Sequence, residues 1–163
     1  MNLLIKTNKN YNAFTLVELI LIIGLFAVLS MFMTINLIKP QVSINIDSSL
    51  NLLISDIKNQ QMKAMSGSTD GNISAQNYGV YIEPSQYTLF TGTTYNPTDP
   101  LNFVVNLDTG VTLTNNLTSS QIVFAKETGD IISYINGSNI VVTHSSGDFK
   151  TININALGVV SIL

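Results

Sequence analysis

Residues 14–38 read FTLVELILIIGLFAVLSMFMTINLI, and this stretch decides the fold because its 25 residues carry a single charge, on Glu18. At about 1.5 Å per residue, a helix of this length can cross the roughly 30 Å hydrocarbon core of a bilayer. A carboxylate inside such a helix costs about 2.5–3.5 kcal/mol on insertion scales, so Glu18 needs a partner. We therefore predict a membrane-spanning helix over 14–38, with Glu18 as a candidate functional residue.

Two plainer interpretations of this segment are a secretory signal peptide and a simple membrane anchor. A signal peptide has an apolar region of about 7–15 residues that ends at a small-residue cleavage site. Residues 14–38 are longer than that, and the small residues Ala27 and Ser30 make a weak site. A simple anchor gives Glu18 no role. Lys6 and Lys9 precede the helix and predict that the N terminus stays cytoplasmic while the C-terminal part lies outside.

The sequence Ala13-Phe14-Thr15-Leu16-Val17-Glu18, with lysines before it and a long apolar run after it, resembles the signal of type IV prepilins and type II secretion pseudopilins. The resemblance implies that a prepilin peptidase cuts between Ala13 and Phe14 and that Phe14 is then N-methylated. It further implies that the helix forms the filament core and that Glu18 is an assembly residue. The family usually has Gly before the cut, where this chain has Ala13.

The composition limits the part of the chain beyond the membrane helix. The chain has 163 residues, of which 45% are hydrophobic and 10% charged, which leaves one domain of ordinary size after the helix. It has no cysteine, so the domain is held together without disulfides. From Lys39 onward there are five lysines and nine acids, a balance of 5 minus 9, or −4, without arginine. This charge disfavours a nucleic-acid partner.

A second helical segment follows Pro40. Between Ser43 and Ser66 apolar residues recur at helical spacing, and they are Ile46, Leu50, Leu53, Ile57, Ala64 and Met65. This stripe predicts an amphipathic helix that packs on a sheet. We expect a kink or a short melted turn at Pro40 within one long helix from Thr15 to about Ser66. The loop residues 66–72 end it.

From Tyr78 onward the hydrophobic period changes to two, which is typical of strands. The predicted strands are Tyr78–Ile82, Tyr87–Thr91, Phe103–Leu107, Val111–Thr114, Ile122–Lys126, Ile131–Ile135, Ile140–His144, Phe149–Asn155 and Val159–Ile162. Short turns between them favour antiparallel neighbours, and Pro97 and Pro100 mark residues 93–100 as an irregular loop. The predicted fold class is α+β, in which a long N-terminal membrane-spanning helix packs on a C-terminal antiparallel β-sheet domain. The predicted divisions are leader 1–13, membrane helix 14–38, amphipathic half-helix 39–66 and β-rich domain 67–163.

This layout is similar to the GspH/FimT-like minor pseudopilins, in which a long helix precedes a β-rich domain that ends in a late strand. Residues 122–129 and 151–162 resemble the late strands of that group. A major pilin is the alternative, although many major pilins have a C-terminal disulfide loop and this chain has no cysteine.

The residues that could carry chemistry are few, so we predict that the chain is not an enzyme. His144 is the single histidine, and with Ser145 and Asp148 it lies in a predicted hairpin turn, where sequence neighbours rarely adopt triad geometry. Without cysteine no zinc site is predicted. The sequence Asp70-Gly71-Asn72 lacks the spaced ligands of a calcium loop. We expect neither a metal nor a cofactor.

Two functions remain. The first is a structural, minor subunit of a type IV pilus or type II secretion pseudopilus, whose partners are prepilin peptidase, other pilin subunits, the membrane assembly platform and, before assembly, lipid. The alternative is a filament-tip subunit that binds a ligand such as DNA during uptake. Either function implies a single-pass inner-membrane protein whose C-terminal domain lies in the periplasm or outside the cell.

Overall fold

The structure is a computed structural model that describes residues 14–69 and 74–163, with the backbone alone described for 32–44. It divides into two compact units, Met1–Lys39 and Pro40–Leu163. The predicted leader 1–13 and the candidate calcium loop at 70–72 lie outside the described residues.

One helix, α1, runs from Leu16 to Met65 and contains 50 residues. Its ends agree with the predicted Thr15 and Ser66 to within one residue. The helix is unbroken at Pro40, so the melted turn expected there is wrong. A proline removes one backbone hydrogen bond, and the bonds of the flanking turns are enough to keep the helical conformation. The kink expected at the same place stays a prediction.

A glycine in the left-handed conformation ends α1. Gly67 has φ +66°. Its N–H donates to the carbonyl of Ala64 at 3.2 Å, and the N–H of Ser68 donates to the carbonyl of Lys63 at 3.0 Å. These two bonds form a Schellman motif, which satisfies carbonyl groups that the end of a helix leaves without partners.

Within the described residues of the unit Pro40–Leu163, eight strands form two four-stranded antiparallel sheets. The strands are β1 Tyr78–Ile82, β2 Gln86–Thr91, β3 Phe103–Asn106, β4 Val111–Asn115, β5 Gln121–Phe124, β6 Asn139–His144, β7 Phe149–Ile154 and β8 Val160–Ile162. The first sheet has the order β3-β2-β1-β5 and the second β4-β6-β7-β8. All eight strands were predicted to within two residues at each end, and the α+β fold class is confirmed.

One predicted strand, Ile131–Ile135, is wrong. Ile131 forms an isolated bridge to Phe124. Ser133 then takes the left-handed φ of +60°, which a strand cannot contain. The apolar residues of this segment suggested a strand, but the turn that its backbone makes at Ser133 prevents one.

The core lies between α1 and the sheets. The buried apolar residues of the helix are Ile46, Leu50, Leu53, Ile57 and Ala64, as the stripe predicted. Met65 was expected in this stripe but is exposed, whereas the polar residues Ser49 and Gln60 are buried. Gln60 occupies the helical position between Ile57 and Ala64, so the polar residue lies on the buried face.

The opposite face of the first sheet is partly covered by the irregular loop between β2 and β3. Tyr95 of this loop stacks on Tyr81 with the ring centroids 4.1 Å apart, and it meets Phe90 edge to face at 5.7 Å. The loop at 93–100 was predicted as irregular, and its contacts show that it also buries one side of the sheet.

Candidate functional site at the helix N terminus

A side-chain cap begins α1. The hydroxyl of Thr15 accepts a hydrogen bond of 3.2 Å from the backbone N–H of Glu18, and the carbonyl of Thr15 accepts one of 3.1 Å from the N–H of Leu19. Thr15 is therefore the N-cap, and Glu18 stands at the third helical position. Thr-x-x-Glu is the spacing of a capping box. Our sequence analysis did not identify this capping signal, although residues 15–18 contain the full Thr-x-x-Glu spacing.

Glu18 lies where its carboxylate can stabilise the start of its own helix, in addition to the predicted pairing with a neighbouring subunit. An acid in the first turn of a helix is stabilised by the free N–H groups and by the positive end of the helix dipole. Glu18 is exposed, so its side chain is accessible to another molecule. The structure contains a single chain, and the pairing of Glu18 with Phe14 of a neighbouring subunit stays a prediction.

The surface beyond Glu18 is apolar on every side. All residues from Phe14 to Met31 are exposed, and the large apolar side chains among them have exposed fractions from 38% at Ile22 to 74% at Leu16. A helix that is hydrophobic all round normally lies inside a protein or a membrane. Exposed apolar area of this extent marks a surface that other molecules cover.

Within the described residues, no helix is both long enough and apolar enough to span a membrane. The predicted span 14–38 includes residues 32–38, whose side chains lie outside the description.

The described residues include only the C-terminal side of the predicted cleavage site. Ala13 lies outside the described residues. Phe14 is exposed, and together with Thr15 it precedes the helix in a non-helical conformation. Cleavage between Ala13 and Phe14, and methylation of Phe14, stay predictions.

The hairpin turn that carries the single histidine has no triad geometry. Ser146 Oγ lies 3.0 Å from His144 Nδ1 and donates to Asp148 Oδ2 at 2.9 Å. The backbone N–H of Ser146 also donates to His144 Nδ1, at 3.1 Å. In a catalytic triad the imidazole lies between the hydroxyl and the carboxylate, whereas here the hydroxyl lies between the other two. These contacts stabilise the turn.

Metal-binding groups are dispersed through the fold. No cluster of three or more His, Cys, Asp or Glu side chains occurs in the ranges 14–69 and 74–163. Asp56, on the helix, is used in a structural contact instead, because it accepts a hydrogen bond from the Tyr87 hydroxyl.

Comparison with known proteins gives one structural likeness. No family model matches the sequence, and no curated protein matches it. Among solved structures, the minor pseudopilin EpsH from the type 2 secretion system of Vibrio cholerae is similar, with a TM-score of 0.52 and 14% sequence identity. The match covers 73% of this chain and 96% of EpsH. At this identity the likeness shows the fold, and the chain therefore has a pseudopilin-like α+β fold.

Proposed function

We propose that this chain is a structural, minor subunit of a type IV pilus or type II secretion pseudopilus. The observation that carries the proposal is the exposed helix surface from Leu19 to Met31, apolar on all sides, in a chain with a pseudopilin-like fold. A structural subunit catalyses no reaction, and the turn at His144 does not have the geometry of a catalytic triad.

The apolar surface defines the partners. Burying it is favourable by about 25 cal/mol for each Å² removed from water. Lipid covers it before assembly, and the helices of other pilin or pseudopilin subunits cover it in the filament. Transfer from one environment to the other exchanges apolar neighbours for apolar neighbours, so little hydrophobic free energy opposes extraction by the assembly platform.

Processing acts at the start of the helix. We propose that prepilin peptidase cuts before Phe14, where Phe14 and Thr15 lie outside the helix and leave the backbone accessible. The cut creates an α-amino group, and methylation of Phe14 keeps it basic. The reference pKa of such a group is about 7.7–8.0, so it is mostly protonated at neutral pH.

The proposed partner of this protonated α-amino group is the carboxylate of Glu18. A carboxylate and an ammonium group that enter an apolar bundle together lower each other's desolvation cost. Glu18 of one subunit and the amino group of Phe14 in its neighbour would thereby set the axial register of two helices. This pairing adds to the favourable position of the Glu18 carboxylate in the first turn of its own helix.

The test is entry into filaments. The full chain, tagged at its C terminus, is produced in cells with an active prepilin peptidase and pilus machinery, and surface filaments are sheared off and probed by immunoblot. We expect the chain in the sheared fraction. An Ile23→Asp variant, with a charge on the apolar surface, should be missing from it, whereas Leu157→Asp, at an exposed loop position of the β-rich domain, should enter normally. Absence of the parent chain, or equal entry of Ile23→Asp, would contradict the proposal.

A further inference from the structure

Each of the two sheets has two edge strands, and loops of the chain itself bond to one edge of each sheet. At the edge of β5, the N–H of Ile132 donates to the carbonyl of Val123 at 2.8 Å. At the edge of β4, the N–H of Leu113 donates to the carbonyl of Pro84 at 2.9 Å. Among the described residues, the outer edges of β3 and β8 have no neighbouring strand. Another chain can therefore add at β3 or at β8.

The backbone groups that β3 presents at its outer edge follow from its pairing with β2. The N–H of Leu107 donates to the carbonyl of Ser85, and these two residues are the next pair in the register after Asn106 and Gln86. Hydrogen-bonded and non-bonded pairs alternate along antiparallel strands, so the N–H and C=O groups of Val104 and Asn106 point away from β2. No turn or loop among the described residues bonds to these outward groups.

The side chains around this edge are apolar and exposed. Phe103 is 65% exposed and Val104 is 47% exposed, and Leu101, just before the strand, is 53% exposed. Residues 101–107 read LNFVVNL, without a charged residue or a proline. Charged side chains and prolines are the common means by which proteins protect an edge strand from further pairing. The edge of β3 lacks both.

A cavity lies along β3 on the side of the sheet that faces α1. Val80, Leu89 and Phe103 are cross-strand neighbours on β1, β2 and β3, and opposite residues of antiparallel strands share a face. Val80 is completely buried, whereas Phe103 is exposed, so the helix leaves the edge strand uncovered. The cavity beside it has a volume of about 320 Å³, and its lining includes Leu89, Leu101 and Phe103. This is enough room for an apolar side chain from an added strand.

We propose that β3 accepts an extended, uncharged segment of a partner protein as a further antiparallel strand of the first sheet. Two residues of that segment, opposite Val104 and Asn106, exchange backbone hydrogen bonds with them. The residue opposite Phe103 points its side chain to the helix side of the sheet, where an apolar side chain enters the cavity. This binding goes beyond the structural role and does not depend on it.

The cavity is the reason to assign the added strand to β3 and not to β8. In strand addition the backbone bonds give affinity, and pockets for alternate side chains give specificity. β8 is also shorter, with the three residues Val160–Ile162. The edge of β8 therefore serves as the control site.

Three probe peptides test the backbone bonds. The first is acetyl-Leu-Thr-Val-Thr-Leu amide, in which apolar residues alternate with threonine. In the proposed pairing its threonines lie opposite Val104 and Asn106 and direct their N–H groups to β3, whereas the N–H groups of its apolar residues point away. The second peptide is N-methylated on both threonines, and the third is N-methylated on the valine and on the last leucine. Only the second lacks the donors that β3 needs.

Each peptide is titrated into the full chain in detergent micelles, and exchange of the backbone amides with solvent is followed by NMR. We expect the first and third peptides to slow exchange at the amides of Val104 and Asn106 at least tenfold at saturation. The second should bind at least tenfold more weakly. The amides of Phe103 and Val105 should change little, because by the same alternation they already bond to β2.

The apolar preference is tested by a fourth peptide, in which serine replaces the last leucine. This residue lies opposite Phe103 in the proposed pairing. We expect it to bind at least threefold more weakly than the first peptide, because the cavity then receives no apolar side chain. Equal affinity would overturn the assignment of the cavity to a side chain of the partner.

Two proline variants locate the site on the protein. Val104→Pro removes one outward N–H, and an edge strand tolerates proline where that N–H faces solvent. It should weaken the first peptide at least fivefold while the amides of β1 and β2 keep their slow exchange. Ile162→Pro makes the same change at β8, since the N–H of Leu163 donates to the carbonyl of Thr151 and Ile162 therefore faces outward. Its affinity for the peptide should equal that of the parent.

Four results would overturn the proposal. Absence of protection at Val104 and Asn106 at millimolar peptide, or equal binding of the second and third peptides, would show that β3 forms no bonds through its outward groups. Loss of affinity in Ile162→Pro with none in Val104→Pro would place the added strand on β8. Protection of Val104 and Asn106 that rises with protein concentration in the absence of peptide would make a second copy of this chain the occupant.

Discussion

The Tyr87 hydroxyl donates a hydrogen bond of 2.6 Å to Asp56 Oδ2 and thereby joins the first sheet to α1 across 31 residues of sequence. The side chain of Tyr87 is fully buried, while Asp56 lies at the partly exposed margin of the helix. Burial, and then the hydrogen bond and charge of Asp56, raise the pKa of Tyr87 well above its ordinary value near 10. The phenol stays protonated in the fold under conditions where it ionises in the unfolded chain.

This contact predicts a loss of stability in alkali. Between the ordinary and the raised pKa the unfolded chain binds fewer protons than the folded chain, so the free energy of unfolding falls as pH rises. The contribution of Tyr87 is fully present below pH 10 and declines above it by about 1.4 kcal/mol per pH unit. Denaturant unfolding of the full chain between pH 8 and 11.5 measures this slope.

Tyr87→Phe isolates the residue from the other tyrosines. At pH 7 the variant should lose about 1.5–3 kcal/mol, the usual contribution of a hydrogen bond to a charged group. Above pH 10 its stability should fall less steeply than that of the parent, so that the two curves converge. Parallel curves over the whole range would show that Tyr87 ionises in the fold as it does in water.

Substitutions at two adjacent helix residues test the packing of α1. Leu53 is completely buried and Leu52 is 48% exposed. Leu53→Asp places a charge in the core and should cost several kcal/mol, a large part of the 5–15 kcal/mol typical of a domain. Leu52→Asp should change stability by less than about 0.5 kcal/mol. Similar melting temperatures for the two variants would show that Leu53 does not face the sheet.

Gly79 should not tolerate a side chain. It lies directly opposite Phe90 on β2, and a Cβ atom would clash with the Phe90 ring and come within 2.7 Å of the carbonyl oxygen of Ile122. Because the second contact is backbone, the clash cannot relax by rotation of a side chain. We expect Gly79→Ala to cost about 1–3 kcal/mol, measured by denaturant unfolding. Gly24→Ala, where the added atom meets nothing within 4 Å, is the control and should not destabilise the chain.

Glu18 has two proposed roles, and three variants separate them. Glu18→Ala removes the whole polar group of the side chain, Glu18→Gln removes the charge alone, and Thr15→Val removes the hydroxyl that caps the helix. If the charge serves assembly, both Glu18 variants are excluded from sheared filaments while Thr15→Val enters. Leader removal should continue in all three, because the cut site is unchanged.

Other patterns would reassign Glu18. Entry of Glu18→Gln with exclusion of Thr15→Val would make the cap the important element. A block of leader removal in Glu18→Ala would place the residue in peptidase recognition instead. Entry of all three variants at the parent level would show that neither role matters for assembly.

Local patterns in the sequence were enough to predict most of the fold. Apolar residues recur every 3.6 residues from Ile46 to Ala64 and alternate along the eight strands. Both patterns predict that one face of the element is buried, and the structure confirms this. The wrong strand at 131–135 has the same apolar content, but its backbone takes the left-handed conformation at Ser133. Serine adopts that conformation too rarely for its presence to predict it.

The candidate site at the helix N terminus is contiguous in sequence, so Phe14 and Glu18 could be proposed as its residues from the sequence alone. The cap at Thr15 could have been predicted from the same four residues.

The intact mass of the chain in sheared filaments tests the central claim most directly. Our account holds that the chain enters filaments after it loses its leader, so we expect a mass that corresponds to Phe14–Leu163 with one methyl group added. The same strain without prepilin peptidase should yield the chain from Met1 in the membrane fraction and none in filaments. A full-length chain from Met1, recovered from filaments or as the sole species where the peptidase is active, would contradict the account.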